Sequence, residues 1–279
     1  MLKKRPAPKR IVRARVDDDF SDIEVIPISE IEYARSWVLY GRSGSGKTTL
    51  AATFPKPILY LDIRDKGTDS IADIGDIDVI RVTSFAHFEK VYWAIVKNKL
   101  PRKYNTVVID TVSQLQTLLV SEYAAKAKRK GKSAGDWGSL TRRDWGDIAS
   151  QLKETLNDYR DLTEEDIEVI FIAQDRVFNV EEEDDTLEMP PPEVGPSLTP
   201  SVARSLNASV SVVANTFIRQ RIIKSKEKGK KPYIKMQYCL GIGPSAIYTR
   251  KVRKPKSEEL PEFVVNPDYE SLINMIKGE

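Results

Sequence analysis

The sequence predicts an α/β fold: a mostly parallel sheet with helices on both faces, extended toward the C-terminus by antiparallel strands. Three observations carry this. The runs SWVLY, PILYLD, TVVID and IEVIFIAQ are apolar throughout rather than alternating, as in strands buried on both faces. Segments with apolar residues at helical spacing separate them. Later, VSVVANTFIRQRIIK, KPYIKMQYCL and AIYTRKVR follow one another with turns at KEKGKK and GIGPS, the pattern of consecutive antiparallel strands.

In chain order, residues 1–30 read as a charged tail, flexible or docking on another subunit. It is basic to Arg15 and then acidic through VDDDFSDIE, with Pro6, Pro8 and Pro27 discouraging helix. Within it, IEVIPI could pair as a strand with a neighbour. Residues 31–279 read as one domain. SWVLY is the first strand, followed by a glycine-rich turn and a helix over KTTLAATF that Pro55 stops. PILYLD and DVIRVTS are the next strands. FAHFEKVYWAIVKNKL is helical, with Phe88, Val91, Ala94 and Ile95 on one face. TVVID ends in a carboxylate, VSQLQTLLVSEYAAKAKRK is helical, and the helix over DWGDIASQLKETLNDYRDL aligns Trp145, Ile148, Leu152, Tyr159 and Leu162. EEEDDTLEMPPPEVGPS reads as a long acidic, proline-rich loop and TPSVARSLNA as a short helix. NPDYESLINMIKGE reads as a closing helix capped by Asn266, with Pro267 at its first position.

Composition narrows the function classes. The chain has 279 residues, 41% of them hydrophobic, which is enough for a sizeable core. A net charge of +3 does not by itself argue for nucleic-acid binding; local clusters must. The single cysteine, Cys239, allows no intrachain disulfide and suits a reducing cytoplasm, and it reads as a small core residue. With His87 the only histidine, a Cys/His zinc site is excluded. No apolar run approaches the ~18 residues of a membrane span, and MLKKRPAPKR lacks the apolar stretch of a secretory signal.

The most specific motif is GRSGSGKT, Gly41 to Thr48, a full match to G-x-x-x-x-G-K-[ST] between a strand and a helix. Gly41, Gly44 and Gly46 let the backbone curl its N–H groups toward phosphate, and the helix N-terminus adds the positive end of its dipole. Arg42, Ser43, Ser45 and Thr49 complete the loop and first turn. Lys47 is expected on the β- and γ-phosphates, and Thr48 is expected to ligate Mg2+ through its hydroxyl. Asp110, ending TVVID, fits the Walker B carboxylate that holds Mg2+. A nucleotide polyphosphate with Mg2+ is therefore the expected ligand. A group that orients the attacking water is also needed. YLDIRDKGT offers Asp62 and Asp65 after the second strand, and Gln174 ends a later strand where it could sense the γ-phosphate.

The order of GRSGSGKT, YLDIRDKGTDSI, VVIDTVSQL, LTRRDWGDI, VIFIAQDR, SVARSLNASVSVV, GIGPSAIYTRKVR and NPDYESLINMIKG resembles phage-encoded RecA-like ATPases, short RecA cores associated with recombination and single-strand annealing. The resemblance covers about residues 33 to 278, and its C-terminal part is the more specific. It implies a RecA-like P-loop NTPase core, ATP with Mg2+ as its ligand, an ATPase stimulated by DNA, single-stranded DNA as partner, and assembly into rings or filaments, with a single-strand-binding protein as a further partner and the host cytoplasm as location. It also implies a Lys-x-Arg pair on a late strand that reaches a neighbour's nucleotide. Lys251 and Arg253 stand in that pattern, and their i, i+2 spacing puts both on one face. Arg250 and Lys254 then read as surface charges.

Two departures stand out. Where the RecA type places a catalytic Glu, this chain has Arg64 and Asp65, with Asp65 the closest substitute; and the loop after the Gln174 strand carries EEEDD, which repels phosphates. DNA contact is instead expected at Lys126, Lys128, Arg129, Lys130 and Lys132, with Trp137 available for stacking on bases. The turn from Lys224 to Lys231 and the basic N-terminal arm are further candidates, and such charge runs are as often plain solvated surface. A replication helicase or helicase-loader motor would share the fold and fingers, and a non-hydrolysing nucleotide-dependent DNA scaffold would fit the missing Glu.

Overall fold

The computed structural model describes residues 27, 34–64, 67–129, 140–178, 193–223, 232–254 and 260–278. The described elements belong to the unit Tyr33–Glu279. The tail expected over residues 1–30, Pro27 apart, lies outside the described residues, as do Asp65, Lys130, Lys132, Trp137 and the EEEDD segment.

In chain order the elements are β1 (Ser36–Tyr40), α1 (Lys47–Ala51), β2 (Ile58–Asp62), β3 (Ile77–Arg81), α2 (Phe85–Val96), β4 (Thr106–Asp110), α3 (Val112–Arg129), α4 (Arg142–Asp161), β5 (Glu168–Ala173), β6 (Asp175–Phe178), β7 (Glu193–Pro196), α5 (Pro200–Ser209), β8 (Val212–Ile223), β9 (Tyr233–Gly241), β10 (Lys251–Val252), β11 (Phe263–Val265) and α6 (Tyr269–Lys277). The described residues form a nine-stranded sheet in the order β11-β9-β8-β1-β5-β4-β2-β3, with β10 pairing β8 and a separate β6–β7 ribbon. Pairing from β8 through β1, β5, β4, β2 to β3 is parallel. β9, β10 and β11 add antiparallel pairs. The expected α/β architecture, parallel with an antiparallel C-terminal extension, is present.

Side chains alternate between two cores, as strand pleating requires. On one face Val38, Leu59, Leu61, Val107, Ile109, Val169 and Phe171 pack under α2, α3, α4 and α5. On the other, Trp37, Leu39, Ile58, Tyr60, Val108, Ile170 and Ile172 pack under α1 and α6. α4 buries Ile148, Leu152 and Tyr159 as its periodicity predicts, and Trp145 packs partly buried against the same core. Thr141 caps α4 in a reciprocal capping box with Asp144. Cys239 is buried, and burial raises its thiol pKa.

Four local readings are corrected. The cap of α6 is Asp268, whose side chain accepts from the Ser271 N–H in a capping box. Asn266 instead takes a left-handed φ of 47° ahead of Pro267. The loop read over EEEDDTLEMPPPEVGPS ends in strand β7, which pairs with β6. The strand read over AIYTRKVR contracts to β10, two residues antiparallel to Val212 and Val213. Arg250, read as a surface charge, is turned inward. Its Nε donates to Asn215 Oδ1 at 2.6 Å, and a terminal nitrogen donates to the Glu262 and Gly243 carbonyls. Among the described residues no helix is long and apolar enough to cross a membrane.

Candidate functional site

β1 ends at the phosphate-binding loop, and the loop's shape follows from its glycines. Gly41 has φ +151°, and a Cβ there would lie 2.4 Å from the Thr216 carbonyl oxygen. Only glycine lets the loop pass so close to β8. Gly46, at φ +91°, is the N-cap of α1, and the Tyr238 ring stands against it. Ser45 ties the loop down: its Oγ donates to the Arg42 carbonyl at 2.7 Å and lies 2.6 Å from Thr216 Oγ1. Lys47 is buried at 8% exposure and its Nζ donates to the Gly41 and Arg42 carbonyls at 2.8 and 2.7 Å. The ammonium is thus held inside the curl of the loop, where a phosphate's oxygens would compete for it.

The sheet brings the second half of the site alongside. β5 lies between β1 and β4, so Gln174, just past the end of β5, stands between the loop and Asp110 at the end of β4. The Gln174 N–H donates to Ser113 Oγ at 3.2 Å. Asp110 is buried at 3% exposure. Thr48 Oγ1 donates to its Oδ2 at 3.3 Å, and so does the Tyr60 hydroxyl, in a short hydrogen bond. Burial first, and then the Asp110 charge, push the Tyr60 phenol far above its ordinary pKa, so it stays a donor. Asp62 is buried at the end of β2 in register with Asp110.

A cavity of about 690 Å³ opens at this edge, lined by Ser43 to Thr49, Asp110, Gln174, Thr216, Tyr238, Asn266 and Pro267 among others. It lies outside the carboxyl ends of the parallel strands, where open α/β sheets bind ligands. Loop N–H groups and Lys47 suit polyphosphate, and the Tyr238 ring with the Asn266 amide suits a base, by stacking and hydrogen bonding. Thr48 and Asp110 offer only hard oxygen donors, which fit Mg2+. Among the described residues no cluster of three or more His, Cys, Asp or Glu could hold a metal, so an ion held by Thr48 and Asp110 would need further ligands from phosphate and water. Bound there, Mg2+ would supply charge neutralisation to the phosphates.

Not every expected residue reaches this cavity. Lys251 Nζ donates to the Asn207 and Ala208 carbonyls at 2.8 and 2.7 Å, and Arg253 donates to Ala208 at 2.8 Å. The pair does share one face, and in its own chain it caps the C-terminal end of α5. Burial, then the Arg253 charge, lower the Lys251 pKa from 10.5 to about 8. Lys126 lies near the end of α3, its ammonium over the Tyr123 ring. Lys128 and Arg129 close that helix, with side chains outside the described residues. Thr216, Tyr238, Asn266, Pro267 and Tyr60 were not legible as site residues. Tyr60, Thr216 and Tyr238 lie on strands that the fold gathers at this edge, and Asn266 and Pro267 on the turn from β11 to α6; no local sequence pattern marks any of them as part of the site.

No curated protein matches the chain. The family model of the AAA domain matches residues 34–235, well over half of the sequence, from the start of β1 into β9. With its strand–loop–helix phosphate cradle, its strand-end aspartate and this match, the chain belongs to the AAA domain family and is a P-loop ATPase-type domain.

Proposed function

We propose that the protein is an ATP-dependent RecA-like recombination ATPase of phage origin, which binds single-stranded DNA and anneals or pairs strands as an oligomer with nucleotide at the subunit boundary. The observation that carries this reading is the meeting of Lys47, Thr48, Asp110 and Gln174 at one cavity on the sheet edge. Lys47 binds the β- and γ-phosphates, Thr48 and Asp110 hold Mg2+, and Gln174 senses the γ-phosphate. Asp62 or Asp65 supplies the carboxylate that orients water. Lys251 and Arg253 support the shared site: they lie side by side, outside the lining of their own cavity, and Arg253 is exposed. A neighbour's γ-phosphate would draw them from the α5 carbonyls. The basic run Lys126 to Lys132, with Trp137, supports DNA binding, and a single-strand-binding protein is a fitting partner in the host cytoplasm.

The test is the ATPase rate with and without single-stranded DNA, beside assays of annealing and unwinding. DNA-stimulated hydrolysis with annealing is expected. No DNA binding and no stimulation would defeat the reading, unwinding without annealing would favour a helicase or loader motor, and DNA binding without turnover would favour a scaffold. Mixing Lys47→Ala with Arg253→Ala subunits tests the boundary. Each variant alone should lose a factor of ~10³ or more, and the mixture should regain activity above either. A mixture no better than its components argues against action in trans.

A further inference from the structure

Tyr60 lies in the interior of β2, almost fully buried. Its register neighbour on β4 is Val108, two residues before Asp110, so its ring runs along the same sheet face toward that carboxylate. The Tyr60 hydroxyl donates to Asp110 Oδ2, the oxygen that also accepts from Thr48. Phe would fill the same core volume, so what the hydroxyl adds at this position is hydrogen bonding, to Asp110 and to Thr48 beside it. Two donors from two directions, one on α1 and one on β2, fix the plane of the carboxylate. A carboxylate without them must be ordered when an ion binds, at a cost in affinity.

We propose that Tyr60 is a positioning residue of the divalent-cation site, its hydroxyl holding the Asp110 carboxylate in the orientation that receives Mg2+. This inference rests on the nucleotide-site reading above. Outer partners of this kind contribute roughly 10–100-fold in metal affinity.

The experiment uses the full chain with a fluorescent ATP analogue. Nucleotide affinity is measured in EDTA, and the Mg2+ midpoint is then measured by titration. Tyr60→Phe should leave the EDTA affinity within about twofold of wild type and raise the Mg2+ midpoint by ~10-fold or more. The second variant carries p-aminophenylalanine at position 60, which keeps the ring and a weaker N–H donor, and its midpoint should fall between the two. A wild-type midpoint in folded Tyr60→Phe overturns the proposal, and so does a donor-bearing variant whose midpoint is no better than that of Tyr60→Phe. So does an equal loss of nucleotide affinity with and without Mg2+, which marks a merely structural role. Failure of the wild-type chain to bind nucleotide would remove the site reading and this inference together. Wild-type binding with an unmoved variant midpoint removes this inference alone.

Discussion

Lys251 and Arg253 show how a residue's chemistry is set by what its strand is laid against. Lys251 on β10 and Arg253 just past its end deliver both cations to carbonyls in the last turn of α5, and burial there, with the Arg253 charge alongside, lowers the Lys251 pKa to about 8. The consequence for stability has a definite sign. Between about pH 8 and the unfolded value of 10.5 the folded chain binds fewer protons than the unfolded one, so this group's contribution rises with pH through that window. It is fully present above the unfolded value and is lost as pH falls through about 8. Urea midpoints of wild type and Lys251→Met at pH 7, 8, 9 and 10 should therefore diverge, with the wild type gaining on the variant as pH rises. Parallel profiles would show that Lys251 is not desolvated against α5. The phosphate loop was legible because eight consecutive residues carry its chemistry. Thr216 and Tyr238 were not, because they come from β8 and β9 and only the parallel pairing of β8 with β1 brings that hairpin over the loop.

At the scale of elements, the strands and helices of the parallel sheet were readable because burial on both faces leaves long apolar runs, and α2 and α4 because their apolar spacing persists. The ends were less so. NPDY offers two capping side chains in three positions, and the rule that proline favours the first helical turn selected Asn266. The structure selects Asp268 because its carboxylate reaches the Ser271 N–H while the Ser271 hydroxyl answers it. Asn266 is occupied otherwise, its own N–H donating to the Tyr238 carbonyl at 2.7 Å. The two choices separate by mutation. Asp268→Ala should lower unfolding free energy by about 1 kcal/mol through loss of the cap. Asn266→Gly, which keeps the backbone donor and suits the positive φ, should change it by only a few tenths of that. Equal losses in thermal unfolding would return the cap to Asn266. β10 was overread for a related reason: AIYTRKVR follows the GIGPS turn as a next strand would, but Arg250 turns inward to Asn215 and two carbonyls, and the pairing covers only Lys251 and Val252.

Across the whole molecule, the cavity is closed by parts of the chain far apart in sequence, and this links ligand to fold. The matched AAA region ends at residue 235, yet Tyr238, Asn266 and Pro267 line the cavity. α6, which starts just after them, docks through Leu272 and Ile276 on the core it shares with α1. Its first N–H, of Tyr269, donates to Thr53 Oγ1, and Thr53 also lines the cavity. The Tyr269 ring packs on Phe54 and near Trp37, and its hydroxyl shares the buried Glu168 with the Trp37 indole. A nucleotide touching Thr53 and Asn266 therefore contacts both anchors of the C-terminal helix. If α6 opens only together with the phosphate loop, ligand at 100 times its Kd stabilises the closed form by ~2.7 kcal/mol. Exchange of the α6 amides, Leu272 to Ile276, should then slow by up to ~100-fold on adding nucleotide and Mg2+. Mass spectrometry of deuterium uptake reads this directly, with α4, remote from the cavity lining, as the internal comparison. Protection confined to the loop and α1, with α6 unchanged, would mean that the C-terminal helix opens independently and that the cavity wall it carries is not part of the same cooperative unit.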